Sequence, residues 1–309
     1  MNRLHFVVSL TTNDNDYQLE QAAAAQDAAQ RMGIVVTVLY AENDAITQSQ
    51  QLLNAIQSAD THPQAIILEP VGGTALPQVA RAAVSAGISW AVLNRDAEYI
   101  SELHSGFRVP IFALTSDHEE IGRIQGKQFA ALLPKGGTVL YIQGPAESLA
   151  AKQRSAGMNE TKPSNVQVKF LRGQWTETSS YKAVTSWLRL STSQQAHIDL
   201  IAGQDDSMAM GARRAFEELP EDQSRRWLKL PFIGCDGTAA SGQAWVRSGL
   251  LAATVVVPAN SGQAVEMLVK ALRYGSPVAE RTLTVPYSFP SIDFLSSVHD
   301  NRGRSAGAH

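Results

Sequence analysis

Short apolar runs alternate along this chain with longer segments whose apolar positions recur every three to four residues. The runs read as buried strands and the segments as amphipathic helices. Leu4–Leu10, Val35–Tyr40, Ala65–Leu68 and Ser89–Leu93 are the first predicted strands, with helices over Gln18–Met32, Ala45–Ser58 and Leu76–Ala86 between them. Gly33 and Gly87 follow the first and third of these helices, where glycine commonly ends a helix. A βαβαβαβ series predicts a parallel, doubly wound sheet.

The pattern then restarts. Helices are predicted over Glu119–Leu133, Ser148–Glu160, Ser179–Leu190, Met208–Leu219, Gln243–Ser248 and Gly262–Tyr274. Strands are predicted over Thr138–Ile142, Val166–Leu171, Leu200–Ala202, Phe232–Gly234 and Ala252–Val257. The chain therefore holds two similar α/β halves. Residues 301–309 are small and polar and read as a flexible tail.

Composition narrows the classes. With 309 residues the chain suits two domains of ordinary size. Hydrophobic residues at 44% and charged residues at 18% describe a globular chain, neither membrane-like nor disordered. A net charge of −3 without a basic run argues against a nucleic-acid partner, since phosphate neutralisation needs clustered Lys and Arg. The single cysteine, Cys235, excludes an internal disulfide framework and a cysteine metal cluster. The histidines show no metal-ligand spacing, so neither a metal nor a cofactor is expected. No apolar stretch approaches the roughly 18 residues of a membrane helix. Leu4–Leu10 already reads as a strand, so no secretory leader precedes it. Either a signal peptide has been removed, which places the protein in the periplasm or cell envelope, or Met1 is the true start and the protein is cytoplasmic.

The chemistry concentrates where apolar runs end. Gln204-Asp205-Asp206-Ser207 follows the run to Ala202, and Asp236-Gly237-Thr238 follows the run to Gly234. Ligands of open α/β sheets sit beyond the carboxyl ends of the strands, so two acidic strand ends describe acceptors for hydroxyl or amine donors. The alternative is purely local, with Asp205 a helix N-cap and Asp236 a turn residue. The pair could imitate a glycosidase's carboxylates, but there is no nucleophile elbow, no P-loop and no G-x-G-x-x-G after the first strand. Catalysis is not expected.

Several ordered motifs carry a family resemblance. They are Val92-Leu93-Asn94-Arg95, Thr115-Ser116-Asp117, Ile142-Gln143-Gly144, and Ala150-Ala151-Lys152-Gln153-Arg154-Ser155-Ala156-Gly157. Asp206-Ser207-Met208-Ala209-Met210-Gly211-Ala212, Gly234-Cys235-Asp236-Gly237-Thr238 and Gly249-Leu250-Leu251-Ala252-Ala253-Thr254-Val255 follow. In this order they resemble the type I periplasmic binding proteins, in particular the ribose-binding branch, whose fold is shared with lactose-repressor-type effector domains. The resemblance implies two doubly wound parallel-sheet lobes joined by a three-strand hinge. Residues 1–114 with 258–285 would form one lobe, and 115–257 with 286–300 the other. It also implies a small sugar or polyol captured between the lobes and presented to the membrane permease of an ABC-type transporter.

The same resemblance nominates the ligand-binding residues. Arg95 and Arg154 would be guanidinium donors, one from each lobe, and Asp236 the strand-end carboxylate. Trp175 would stack on the sugar ring, with Tyr17 a second stacking surface. Asp205 falls where an amide is usual, Asn94 where an acid is usual, Glu69 where an amide is common and Gln18 where a second aromatic stands. These departures make ribose itself doubtful and leave another pentose, a hexose or an inositol open. A cytoplasmic ligand-sensing effector domain without its DNA-binding part is the alternative, and a sugar-processing enzyme a remote one.

Overall fold

The apolar runs of the first half divide their side chains by parity between the two faces of one sheet. Phe6, Val8 and Leu10 enter one core with Ala22, Ala25, Val265 and Leu268, while Val7 enters the other with Leu52, Val84 and Trp90. A strand covered on both faces has no polar alternation, which is why these strands read as continuous apolar runs. The computed structural model describes residues 3–58, 62–71, 76–95, 97–194 and 196–297. The residues of the expected tail, 301–309, lie outside the described residues.

The first half holds β1 (His5–Leu10), α1 (Asp16–Met32), β2 (Val35–Tyr40), α2 (Ala45–Gln57), β3 (Ala65–Leu68) and α3 (Pro77–Ser85). It continues with β4 (Ser89–Leu93), α4 (Tyr99–Gly106) and β5 (Ile111–Ser116). The second half holds α5 (His118–Leu132), β6 (Gly137–Gln143), α6 (Leu149–Thr161), β7 (Val166–Arg172), α7 (Glu177–Leu188) and α8 (Ser191–Gln194). After these come β8 (Leu200–Gly203), α9 (Asp206–Glu217), α10 (Glu221–Leu228), β9 (Phe232–Asp236), α11 (Gly242–Arg247) and β10 (Ala253–Val256). Next come α12 (Ser261–Tyr274), β11 (Arg281–Thr284) and β12 (Tyr287–Phe289), and residues 292–297 are helical.

These elements form two units. One runs to Ser116 and resumes over Pro258–Thr284; the other covers Asp117–Val257 and resumes at Val285. The chain thus passes from one unit to the other three times. The first unit carries a six-stranded parallel sheet in the order β11-β5-β4-β3-β1-β2. The second carries β12-β10-β9-β8-β6-β7, parallel except for β12, which runs antiparallel to β10. Both sheets are doubly wound, as the alternation of elements predicts.

Helix starts shift slightly from the sequence reading because polar caps set them. Asn15 caps α1 by accepting from the Gln18 N–H at 2.9 Å, so the helix opens at Asp16 rather than Gln18. Asp205 caps α9 in the same way through the Met208 N–H. In the second unit, α6 crosses α5 closely. A Cβ at Gly122 would fall 2.0 Å from the Arg154 carbonyl oxygen, and one at Gly157 would fall 1.9 Å from that of Glu119. Only glycine permits that approach.

Candidate functional site

Each unit gathers polar side chains at the carboxyl ends of its central strands. In the first unit, β3 and β4 pair in register at Leu68 and Val92, so Glu69 and Asn94 emerge side by side. The Asn94 Nδ2 donates to Glu69 Oε2 at 3.1 Å and to the Tyr17 hydroxyl at 3.0 Å. Its Oδ1 accepts from Asn260 Nδ2 at 2.8 Å and from Ser116 Oγ at 3.3 Å. Gln21 Nε2 ties the Tyr17 hydroxyl to Asn260 Oδ1, at 2.9 and 3.0 Å. Gln18 accepts from the Thr11 N–H at 3.1 Å and hydrogen-bonds Glu69.

Glu69 is buried, and burial raises its carboxyl above the ordinary carboxylate range. The Arg95 charge and the hydrogen bonds from Gln18 and Asn94 oppose that rise. Arg95 is half-buried, and its Nε has no hydrogen-bond partner among the described residues. Tyr17, Gln18, Glu69, Asn94 and Arg95 therefore form one cluster. Gln21 and Asn260 belong to it as well, though neither was nominated from the sequence. Asn260 stands just before α12, and nothing local marks a partner 239 positions away.

In the second unit, β8 lies between β6 and β9, so Gln143-Gly144, Gln204-Asp205 and Asp236 end together. Arg154 projects among them from α6, whose N-cap Ser148 accepts from the Ala151 N–H at 3.3 Å. Its guanidinium donates through Nη1 to the Gln204 carbonyl and lies 3.9 Å from Asp236 through Nη2. It sits 5.4 Å from the Trp175 ring centroid, within cation–π range. The side chain is only 8% exposed, yet Nε has no hydrogen-bond partner among the described residues. A guanidinium carries five donors, and leaving one buried and unmet is unfavourable.

Asp205 is both the N-cap of α9 and a neighbour of the Arg154 charge. Burial raises its carboxyl, against the Met208 N–H and Arg154. The local reading of that residue is thus correct as far as it goes. Asp206, not singled out as a ligand contact, is the buried hub of the strand ends. Its Oδ1 accepts from Thr254 Oγ1 and its Oδ2 from the Gly237 N–H, both at 2.7 Å. Burial pushes its carboxyl up to about 8, against those two hydrogen bonds.

Backbone strain falls on the same residues. Six described non-glycine residues have positive φ, and three of them are Asn94 (56°), Trp175 (60°) and Asp236 (99°). Residues held there cost about 1–3 kcal/mol each and collect at functional sites. Among the described residues, no group of three or more His, Cys, Asp or Glu side chains could hold a metal ion. No helix among them is long and apolar enough to cross a membrane. What the clusters present is a set of carboxylates, amides and guanidinium groups beside two aromatic rings.

Comparison with known proteins matches the chain to a family. A periplasmic binding protein domain aligns with residues 6–276, and the chain belongs to that family. The chain is 26% identical over 251 residues to the ribose import binding protein of Escherichia coli, covering 80% of this chain and 76% of that protein. A solute-binding protein of an ABC transporter from Actinobacillus succinogenes, solved with bound D-allose, has a TM-score of 0.77 at 21% identity, covering 93% of this chain and 97% of that one. The myo-inositol binding protein of Caulobacter, bound to myo-inositol, has a TM-score of 0.75 at 19% identity, covering 95% of each chain. The fold is that of the type I periplasmic binding proteins.

Proposed function

We propose that this protein captures a small sugar or polyol through the polar side chains at its strand ends, and delivers it to the membrane permease of an ABC transporter. The compartment of that role is the periplasm or cell envelope, and no chemical turnover is involved. Arg154 carries the reading. A buried guanidinium with an unmet donor, a strand-end carboxylate 3.9 Å away and an indole beneath it supply what one face of a sugar requires. Each hydroxyl both donates and accepts, and the C–H face of the ring packs on an aromatic surface. The Glu69, Asn94 and Tyr17 cluster offers the same chemistry in the first unit. The relatives named for ribose, D-allose and myo-inositol support a polyhydroxylated ring as the ligand.

A thermal-shift screen tests the proposal, using D-ribose, D-allose and myo-inositol against amino acids as the comparison. A ligand at about 100 times its dissociation constant adds about 2.7 kcal/mol, which raises the melting temperature by a few degrees. A shift with a polyhydroxylated compound and none with amino acids is the expected result. A shift confined to amino acids overturns the assignment.

A further inference from the structure

Gly144 follows β6 and makes an unusual contact. A Cβ placed on it would lie 2.2 Å from Cζ2, 2.4 Å from Cη2 and 2.6 Å from Cε2 of Trp175, and these indole atoms are its three nearest neighbours. The Gly144 backbone is not in the left-handed region. The conformation therefore admits alanine, and the indole excludes it.

Two further bonds make this contact part of a larger assembly. The Gly144 N–H donates to Gln204 Oε1 at 2.8 Å. The Gln204 side chain is wholly buried and donates to the Ala151 carbonyl and Ser155 Oγ, both at 3.0 Å, while the Gln204 main-chain carbonyl accepts from Arg154. The glycine thus touches the ring directly and is linked to the Arg154 guanidinium through one buried residue, Gln204, whose side chain meets the glycine and whose main-chain carbonyl meets the guanidinium.

We propose that Gly144 is a positioning residue, whose missing side chain lets the Trp175 ring lie against the strand end beneath Arg154. The proposal rests on the sugar-binding reading for its effect on affinity, but its geometric core does not. Adding a methyl group forces the indole to move by about 1 Å or more to regain ordinary contact distance. A displacement of that size in a pre-organised site loses affinity broadly, rather than for one sugar.

A double-mutant cycle with G144A and W175F tests it. A phenyl ring has no atoms where Cζ2 and Cη2 of the indole lie. G144A is expected to weaken binding of the responsive sugar, among D-ribose, D-allose and myo-inositol, by about tenfold or more in the parent protein. In the W175F background its effect is expected to fall below about twofold. An equal loss in both backgrounds overturns the proposal, because Gly144 then acts through something other than the ring.

Acrylamide quenching of the fluorescence that W175F removes supplies an arm independent of ligand. G144A is expected to change that quenching, and unchanged quenching overturns the proposal. If none of the sugars binds the parent protein, the sugar-binding reading fails and the quenching arm alone decides the position of the ring. A G144A chain that folds only when combined with W175F is the extreme form of the expected result. Failure of both to fold counts against it.

Discussion

Replacing Asp206 by asparagine probes how the second unit holds its strand ends together. The carboxylate is 3% exposed and lies between two glycines. A Cβ on Gly234 would come 2.1 Å from Oδ1, and one on Gly242 would come 2.1 Å from Oδ2. Thr254 and Gly237 each donate to it at 2.7 Å. Asp205 faces it as a like charge, Arg154 as an opposite one, and the buried Cys235 thiol lies close by.

Burial is the largest influence and pushes the carboxyl from 3.8 up to about 8. The folded protein therefore holds this proton more tightly than the unfolded chain. The contribution to stability is complete below about pH 4 and is lost as pH rises towards 8. Within that window each pH unit costs at most about 1.4 kcal/mol. Asp205 and Glu69 are raised by burial as well and add loss of the same sign. The D206N variant cannot ionise, while its amide can still accept from the Gly237 N–H and donate to Thr254 Oγ1.

Urea unfolding of the parent and of D206N at pH 5, 6, 7 and 8 is the assay. The parent is expected to be the more stable, or equal, at pH 5. The difference should shift in favour of D206N by on the order of 2–4 kcal/mol by pH 8. A difference that is constant with pH, or that moves the other way, refutes the reasoning. D206A serves as the control for packing. It leaves the Thr254 hydroxyl and the Gly237 N–H without their acceptor and is expected to cost about 1–3 kcal/mol for each.

Further outcomes follow from the clusters and the cores. R154A and D236A are expected to abolish sugar binding with melting temperatures close to the parent's, and unchanged affinity in both refutes the site assignment. E69Q removes the carboxylate facing Arg95 and bonded by Asn94 and Gln18, so titration should show affinity reduced by about tenfold, near 1.4 kcal/mol. Phe216 is wholly buried, stacked on Trp227 at 4.7 Å and edge-on to Phe232 at 6.2 Å. F216A is expected to lower stability by about 3–5 kcal/mol in chemical denaturation, with sugar affinity at saturating stability unaffected.

Most central strands were legible because each is covered on both faces and is predominantly apolar, with only isolated polar positions such as Ser9 and Thr254; β5, buried throughout but ending in Thr115 and Ser116, was not predicted as a strand. Several elements that bury little were not legible either. α4 buries only Ile100 and Leu103, and α10, from Glu221 to Leu228, buries only Ser224 and Trp227 beneath four charged side chains. β11 lies at a sheet edge with Arg281 and Leu283 exposed, so its apolar pattern is faint. At the site, acids and amides at strand ends could be read directly, and the nominated residues fall into one cluster per unit. The division of labour between Asp205 and Asp206 could not be read. Adjacent carboxylates look alike in a sequence, whereas the strand-to-helix turn sends one to the helix N-terminus and the other into the glycine cradle. Gln204 and Gly144 likewise carry no local sign of the ring and guanidinium that they hold.

Isothermal titration of the purified protein with D-ribose, D-allose and myo-inositol, repeated with R154A, tests the central claim most directly. Saturable binding of at least one of them at one site per chain, lost in R154A, is the result expected of a sugar-binding protein that uses this cluster. Binding that R154A leaves intact, or no binding of any of the three, contradicts it.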